Sequence, residues 1–330
     1  MPQFERSGVT TVGDNPSFLA LHPSESILYT VHEVVAGGVS AFRVESDSDG
    51  TVRLTRLGRT ESGADGPCHC SVHPSGNALF VAHYAGGAVS VIPIRSDGTL
   101  VNPSDIIHHE GSSRHPNRQR EPHPHMATIG PNGRFVYVPD LGTDEVVVYE
   151  FRKQNHALRR VGSVNVPPGA GPRHLDFHPE EGFAYLINEL DSTLFAFKWD
   201  PDTGDLDVID TVSTLPAGFD GENIAADVHV HPMGDWVYGS NRGHDSITIY
   251  RIFDDGTLQF RRTEPSGGSQ PRHFAIDRSG RWLFALNRAT DDITTFSIDA
   301  QTGELEPTGD SLSIPRPVCL ATAENFRSER

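Results

Sequence analysis

One pattern recurs six times along this chain: an alternating strand, a tight turn, then a second strand rich in aromatic and β-branched residues. It reads NPSFLALHPSESILYTVHE from Asn15, GPCHCSVHPSGNALFVAHY from Gly66 and HPHMATIGPNGRFVYVPDL from His123. It continues as GPRHLDFHPEEGFAYLINE from Gly171, NIAADVHVHPMGDWVYGSNR from Asn223 and QPRHFAIDRSGRWLFALNR from Gln270. A third strand follows (AVSVIPI, EVVVYEF, TLFAFKW, SITIYRI), and a fourth usually comes after a glycine turn (SDGTLVN, DTGDLDVID, DDGTLQFRR, QTGELEP). The turn position falls at Pro23, Pro74, Pro131, Pro179, Pro232 and Arg278, with separations of 51, 57, 48, 53 and 46 residues. Four short strands per repeat of roughly 40–50 residues predict an all-β propeller with four-stranded antiparallel blades. A lone twisted sheet cannot bury both faces; a ring of sheets covers each face with the next and leaves few open edges.

A seventh copy begins at IPRPVCLATAEN, Ile314 to Asn325, and stops after one strand, while FERSGVTTVG near the N-terminus reads as a fourth strand. The expectation is a single seven-bladed domain over 1–330, its seventh blade shared between the termini. That blade lacks its two middle strands, or the true start lies upstream of Met1. A two-stranded blade exposes apolar flanks, so a homo-oligomer is an expected outcome.

The formal charge, 27 − 44 = −17, argues against nucleic acid or an anionic membrane as partner. Lys153 and Lys198 are the only lysines, which suits a salt-loving source or GC-rich coding. No run reaches the roughly 18 apolar residues of a membrane span, and MPQFERSGVTTVG lacks the apolar core of a signal peptide. Cys68, Cys70 and Cys319 make a poor zinc match by spacing and read as structural or incidental thiols of a reducing cytoplasm.

Aligning the copies on the turn gives two columns. Six residues before it stand Ser17, Cys68, His125, Arg173, Ala226 and Arg272; ten after it stand Glu33, Tyr84, Leu141, Glu189, Arg242 and Arg288. A hairpin's two open ends share one sheet edge, so both columns should face one end of a central channel. Their neighbours include His69, His174, His273, Asp227, Asn188, Asn241 and Asn287. Arginines and histidines gathered in an acidic protein suit a small anionic substrate, since the guanidinium fork matches carboxylate or phosphate. Glu189 beside Arg173 is a candidate base. The competing reading is that such residues cap sheet edges. His22, His73, His178 and His231 precede the turn and read as turn residues.

The His123/His125 and His229/His231 pairs each share a strand face, but they fall in separate blades without a carboxylate cage, so no metal and no cofactor is expected. There is no Gly-x-Ser-x-Gly elbow, and glycine-rich pieces such as AGGAVS are turns, because no helix follows. The long polar segment Pro103 to Pro124 reads as a lid or a surface loop.

GPRHLDFHP with AYLINEL, HPHMATIGPNGRFVYVPDLG, WVYGSNRGHDSI and IPRPVCL resembles the seven-bladed lactonase family, from about Asn15 to Leu320. That family includes propeller-type 6-phosphogluconolactonases and 3-carboxy-cis,cis-muconate lactonizing enzymes. The resemblance implies a site of His125 (from PHxA), Arg173 (GPRH), Glu189 (NEL) and a second arginine, Arg242 (SNR) with Arg272 as its rival. It implies a cofactor-free lactonase acting on a sugar lactone, 6-phosphogluconolactone first, with Glu189 or His125 as base. His174, Arg272, His273, Asn241, Arg288, Glu33 and His69 complete the expected substrate pocket. The rival readings are a carboxymuconate cycloisomerase and a non-catalytic propeller that binds proteins on its rim.

Overall fold

The second strand of each repeat is apolar on both faces, and it is buried on both: ALFVAH, FVYVPD and WVYGSN have no exposed position. The fourth strand alternates, as in LEPTGDSLS, where buried or half-buried residues alternate with exposed ones. A strand covered twice belongs inside a stack of sheets, and an alternating one at the stack's margin.

The computed structural model describes residues 8–24, 26–46 and 51–323. They form six four-stranded antiparallel sheets, each strand paired with its neighbours in sequence. The first sheet is β1 (Pro16–Leu21), β2 (Ile27–His32), β3 (Gly38–Ser46) and β4 (Val52–Glu61); the second is β5 (Pro67–Val72), β6 (Ala78–His83), β7 (Ala88–Pro93) and β8 (Asp105–His108). The third is β9 (Thr128–Ile129), β10 (Phe135–Asp140), β11 (Glu145–Arg152) and β12 (Ala157–Asn165). The fourth is β13 (Pro172–Phe177), β14 (Phe183–Asn188), β15 (Thr193–Trp199) and β16 (Leu206–Ser213). The fifth is β17 (Ile224–Val230), β18 (Trp236–Arg242), β19 (Ser246–Ile252) and β20 (Leu258–Pro265); the sixth is β21 (Pro271–Ile276), β22 (Trp282–Asn287), β23 (Asp292–Ile298) and β24 (Leu305–Ser313). The chain divides into two compact units, whose main parts are Glu5–Thr143 with Val147–Gly162, and Ser163–Thr322 with Asp144–Val146.

Within each unit the cores lie between successive sheets. In the first, Tyr29, Val31, Ala41, Leu79, Val81 and Ile92 fill the seam between sheets one and two. In the second, Tyr185, Ile187, Ala225, Val237 and Tyr250 fill the seam between sheets four and five. The next seam holds Trp236, Tyr238, Ile249, Phe274 and Phe296. First strands lie side by side: β1 against β5, then β13 against β17 and β17 against β21.

The turn histidines latch one sheet to the next. Nε2 of His22, His73, His178 and His231 meets the carbonyl of Gly76, Gly133, Gly234 and Gly280 at 3.1, 2.8, 3.0 and 2.8 Å. Nδ1 of His178 meanwhile accepts from the amides of its own turn, those of Glu180 and Glu181. Gly234 has φ +83°, and a Cβ there would stand 2.4 Å from His178 Nε2. Only glycine fits that turn.

No seventh sheet occurs among the described residues. Gly8 to Gly13 and Ile314 to Ala323, expected to supply strands, are irregular; the remainder of those two stretches lies outside the described residues. Ile314 nevertheless enters as earlier repeats do. Its amide donates to the Asp291 carbonyl at 2.9 Å, as Ser266 does to Asp245 and Thr214 to Ser192. The 103–124 segment begins with β8 and is then anchored inside the first unit. Gln119 is fully buried, its Nε2 donates to the Leu141 carbonyl at 2.8 Å, and Arg118 reaches the Tyr84 hydroxyl at 3.1 Å.

Candidate active site

The first column coincides with a recurrent β-bulge. The register slips between Pro16 and Phe18, Pro67 and His69, Pro172 and His174, and Pro271 and His273. The skipped residues are Ser17, Cys68, Arg173 and Arg272. In the fifth sheet the slip spans Ala226 and Asp227. A bulge re-aims a side chain off the pleat, so β13 and β21 can each present an arginine where its strand neighbours cannot. The second column begins just after the second strand. The amides of Glu33, Tyr84, Leu141, Glu189 and Arg288 each donate to a carbonyl at the mouth of their own hairpin.

In the second unit these positions meet. Glu189 Oε2 accepts from Arg173 Nε at 3.0 Å and pairs with Arg242 NH2 at 2.9 Å. Arg173 and Glu189 are 2% exposed, and Arg173 is among the largest fully buried side chains. Arg173 NH1 donates to the Ala226 carbonyl and faces His174 Nε2 at 3.2 Å. Arg242 NH2 also donates to the Ala225 carbonyl at 2.8 Å. The NH2 of Arg173 takes no protein partner among the described residues. Arg272 is half-buried and likewise makes no hydrogen bond or ion pair with a described residue, yet it lies close enough to act electrostatically on Arg173. Burial first, then Arg242 and Arg272, depress the Arg173 guanidinium to about 9. Two guanidiniums thus share the Glu189 carboxylate, and Arg272 adds a third positive charge close by, a set of donors whose fork geometry matches an anion.

A second group adjoins the first through His174. Its Nδ1 meets Asp227 Oδ1 at 2.7 Å. Asp227 Oδ2 lies 3.2 Å from His229 Nε2 and 3.6 Å from His273 Nε2. Burial, then Arg173, push the His174 imidazole down to about 3, so it stays neutral and Nε2 can accept from Arg173. Burial also lowers His273, to about 4. For His229 burial works the same way, but Asp227 and Asp176 outweigh it and raise the ring to about 10. Burial would raise Asp227, yet His229, His273 and His174 hold it well below the ordinary carboxylate range.

Other expected residues lie differently. Asn241 is fully buried, and its amide is saturated: Nδ2 donates to the Thr214 carbonyl and Thr248 Oγ1, while Oδ1 accepts from Thr214 and Asn223. It therefore ties loops together and has no donor left for a ligand. Asn188 and Asn287 do similar work through Thr193 and Thr294. Arg288 is half-buried. In the first unit, His125 is 5% exposed and its ring stands edge-on to Tyr84 at 5.6 Å, while His123 stacks on Tyr84 at 4.4 Å. His69 Nδ1 accepts from the Ala127 amide at 3.3 Å and packs on Phe18. Glu33 carries backbone bonds to Asn15. The sequence places Asp227 only as a neighbour of the columns, and His229 only in a metal-like pair with His231, without giving either a role in the site. The signal was present, because Asp227 borders the Ala226 column position, but only the wider bulge of β17 brings it in.

A family profile described as "Lactonase, 7-bladed beta-propeller" matches residues 2–322. A 6-phosphogluconolactonase of Bacillus subtilis is 34% identical over 93% of this chain and 86% of its own. A solved Pseudomonas aeruginosa protein, titled a periplasmic gluconolactonase, superposes with TM-score 0.87 at 31% identity, covering 94% of this chain and 88% of its own. A Bacteroides fragilis structure does so with TM-score 0.86 at 32% identity, covering 94% and 87%. Matched along nearly its whole length, the chain belongs to the lactonase family of seven-bladed β-propellers.

Proposed function

We propose that this protein hydrolyses a sugar lactone bearing an anionic group, with 6-phosphogluconolactone as first candidate. The observation that carries the reading is the surplus of positive charge on Arg173, Arg242 and Arg272 around one buried carboxylate, Glu189, in a chain of the lactonase family. Arg272, which has no hydrogen-bond or ion-pair partner among the described residues, takes the substrate phosphate. The spare NH2 of Arg173 donates to the lactone carbonyl oxygen, where negative charge grows as water attacks; one such donor is typically worth about 3–4 kcal/mol. Glu189 accepts the water proton. Collapse of the tetrahedral intermediate breaks the ring C–O bond, and the departing ring oxygen takes that proton back. His125 joins the reading through the family resemblance, as do His174, His273, Arg288, Glu33 and His69 as lining residues.

Several further expectations belong to the same proposal. The two units form one domain. Its seventh blade draws on residues near both termini, with Pro317 in the place that Pro271 holds in the sixth repeat. The three cysteines, which form no disulfide among the described residues, favour a reducing cytoplasm, and the net negative charge disfavours nucleic acid and anionic membrane. A homo-oligomer follows if the termini leave apolar surface uncovered.

The test is acid release from freshly generated 6-phosphogluconolactone against its spontaneous rate, with unphosphorylated gluconolactone in parallel. Rapid turnover of the phosphorylated lactone supports the proposal. Turnover of only the unphosphorylated lactone would remove the phosphate assignment. No acceleration of either, alongside loss of ultraviolet absorbance from a carboxymuconate, would favour the cycloisomerase reading.

A further inference from the structure

Neither histidine pair that looks like a metal motif in the sequence is one. His231 is spent on the Gly280 carbonyl and the Met233 amide, and His123 Nδ1 on the Tyr84 carbonyl. The structure instead gathers ligand atoms from adjacent strands. We propose that Asp227, His229 and His273, with Cys319 as fourth ligand, bind one divalent transition-metal ion of the zinc class.

Geometry carries this. The ligand atoms of Asp227, His229 and His273 lie within 4.8 Å of one another; Cys319 stands outside this group, beside His273, and would have to swing in to complete the set. Arms of about 2.0–2.1 Å at a tetrahedral zinc imply ligand–ligand edges of about 3.4 Å, and about 3.6 Å from nitrogen to thiolate sulfur. The separations are 3.2 Å from Asp227 Oδ2 to His229 Nε2, 3.6 Å to His273 Nε2, and 3.9 Å from His273 Nε2 to Cys319 Sγ. Two nitrogens, one carboxylate oxygen and one thiolate suit zinc better than magnesium or calcium.

The surroundings are those of a prepared site. The other Asp227 oxygen is fixed by His174 Nδ1 at 2.7 Å and the Val228 amide at 3.1 Å. The second nitrogen of His229 lies 3.7 Å from Asp176 Oδ2, a carboxylate that a small shift would make the outer partner ligating imidazoles generally have. The His229 side chain is 34% exposed, which gives an ion a way in. The repeat explains the thiol. IPRPVCL set on SQPRHFA places Pro317 with Pro271 and Cys319 with His273, so one repeat position supplies both ligands. The segment carrying Cys319 is held to Asp291 by the Ile314 and Arg316 amides. A bound ion would pin that segment to β17 and β21. This inference is independent of the hydrolytic reading.

The full-length chain is stripped with a chelator, loaded with zinc or cobalt(II), freed of excess ion, and assayed for metal content, visible absorption and melting temperature. Expected are stoichiometric retention, a thiolate-to-cobalt charge-transfer band and a higher Tm with metal. His229→Gln and His273→Gln should each lose retention at least about tenfold, and Cys319→Ser should lose the band. Wild-type protein that retains no metal, or retention unchanged in both histidine variants, overturns the site. Cobalt bound by the wild type without the band overturns the assignment of Cys319.

Discussion

Arg272 is the residue whose replacement most cleanly separates binding from stability. It is half-buried and carries no ion pair or hydrogen bond among the described residues, so its loss strands no buried partner. Arg272→Ala should raise KM for the phosphorylated lactone at least about tenfold, while Tm moves by less than about 1 °C; steady-state kinetics with a melting curve checks both. Glu189→Gln behaves differently. It removes the one carboxylate shared by two guanidiniums, and breaking a buried pair typically costs about 3–5 kcal/mol. Both kcat and Tm should fall, kcat by at least about tenfold. That Arg173, Glu189 and Arg242 fall at equivalent hairpin ends was legible in the sequence because they occupy repeat columns. The role of Asn241 was not. Its partners Thr214 and Thr248 come from β19 and the stretch after β16, and a polar residue at a strand end reads alike whether it faces a ligand or a loop.

At the scale of the element, the inter-sheet latch makes a specific demand. His178→Ala leaves the Gly234 carbonyl without its donor and frees the turn amides of Glu180 and Glu181; a loss of about 1–3 kcal/mol is expected, read by denaturant unfolding. The end of the second strand makes another. Asn188, Asn241 and Asn287 hold that place in the fourth, fifth and sixth sheets, and His83 holds it in the second. Burial pushes the His83 imidazole down to about 4 from an ordinary 6.5. The unfolded chain therefore takes up this proton first as pH falls. The stability linked to His83 is complete above about 6.5 and is lost between there and about 4, amounting to about 3 kcal/mol. His83→Asn should flatten that part of the pH–stability curve; an unchanged slope would show that other groups set it. Hairpins, turns and strand order could be read from alternation and punctuation, because those are local. The bulges in five of the six first strands could not, since a register slip depends on the partner strand's hydrogen bonds.

For the molecule as a whole, a net charge of −17 means that like charges repel across the surface. Salt screens them over about 8–10 Å, so Tm should rise between low and molar potassium chloride; a flat response would mean that the acidic groups are too dispersed to matter. Six repeats were plain in the sequence, and six sheets stand among the described residues. The weak start at Ile314 was visible too, although its strand does not form there. In the proposed function, arginines placed by bulges on β13 and β21, together with Glu189 and Arg242 at the ends of β14 and β18, turn over an anionic lactone. The most direct test is the hydrolysis rate of 6-phosphogluconolactone by the wild-type chain and by Arg173→Met at high salt. A rate well above the spontaneous one, falling at least about tenfold in the variant, is expected. A wild-type rate equal to the spontaneous one, or a folded variant that is equally fast, would contradict it.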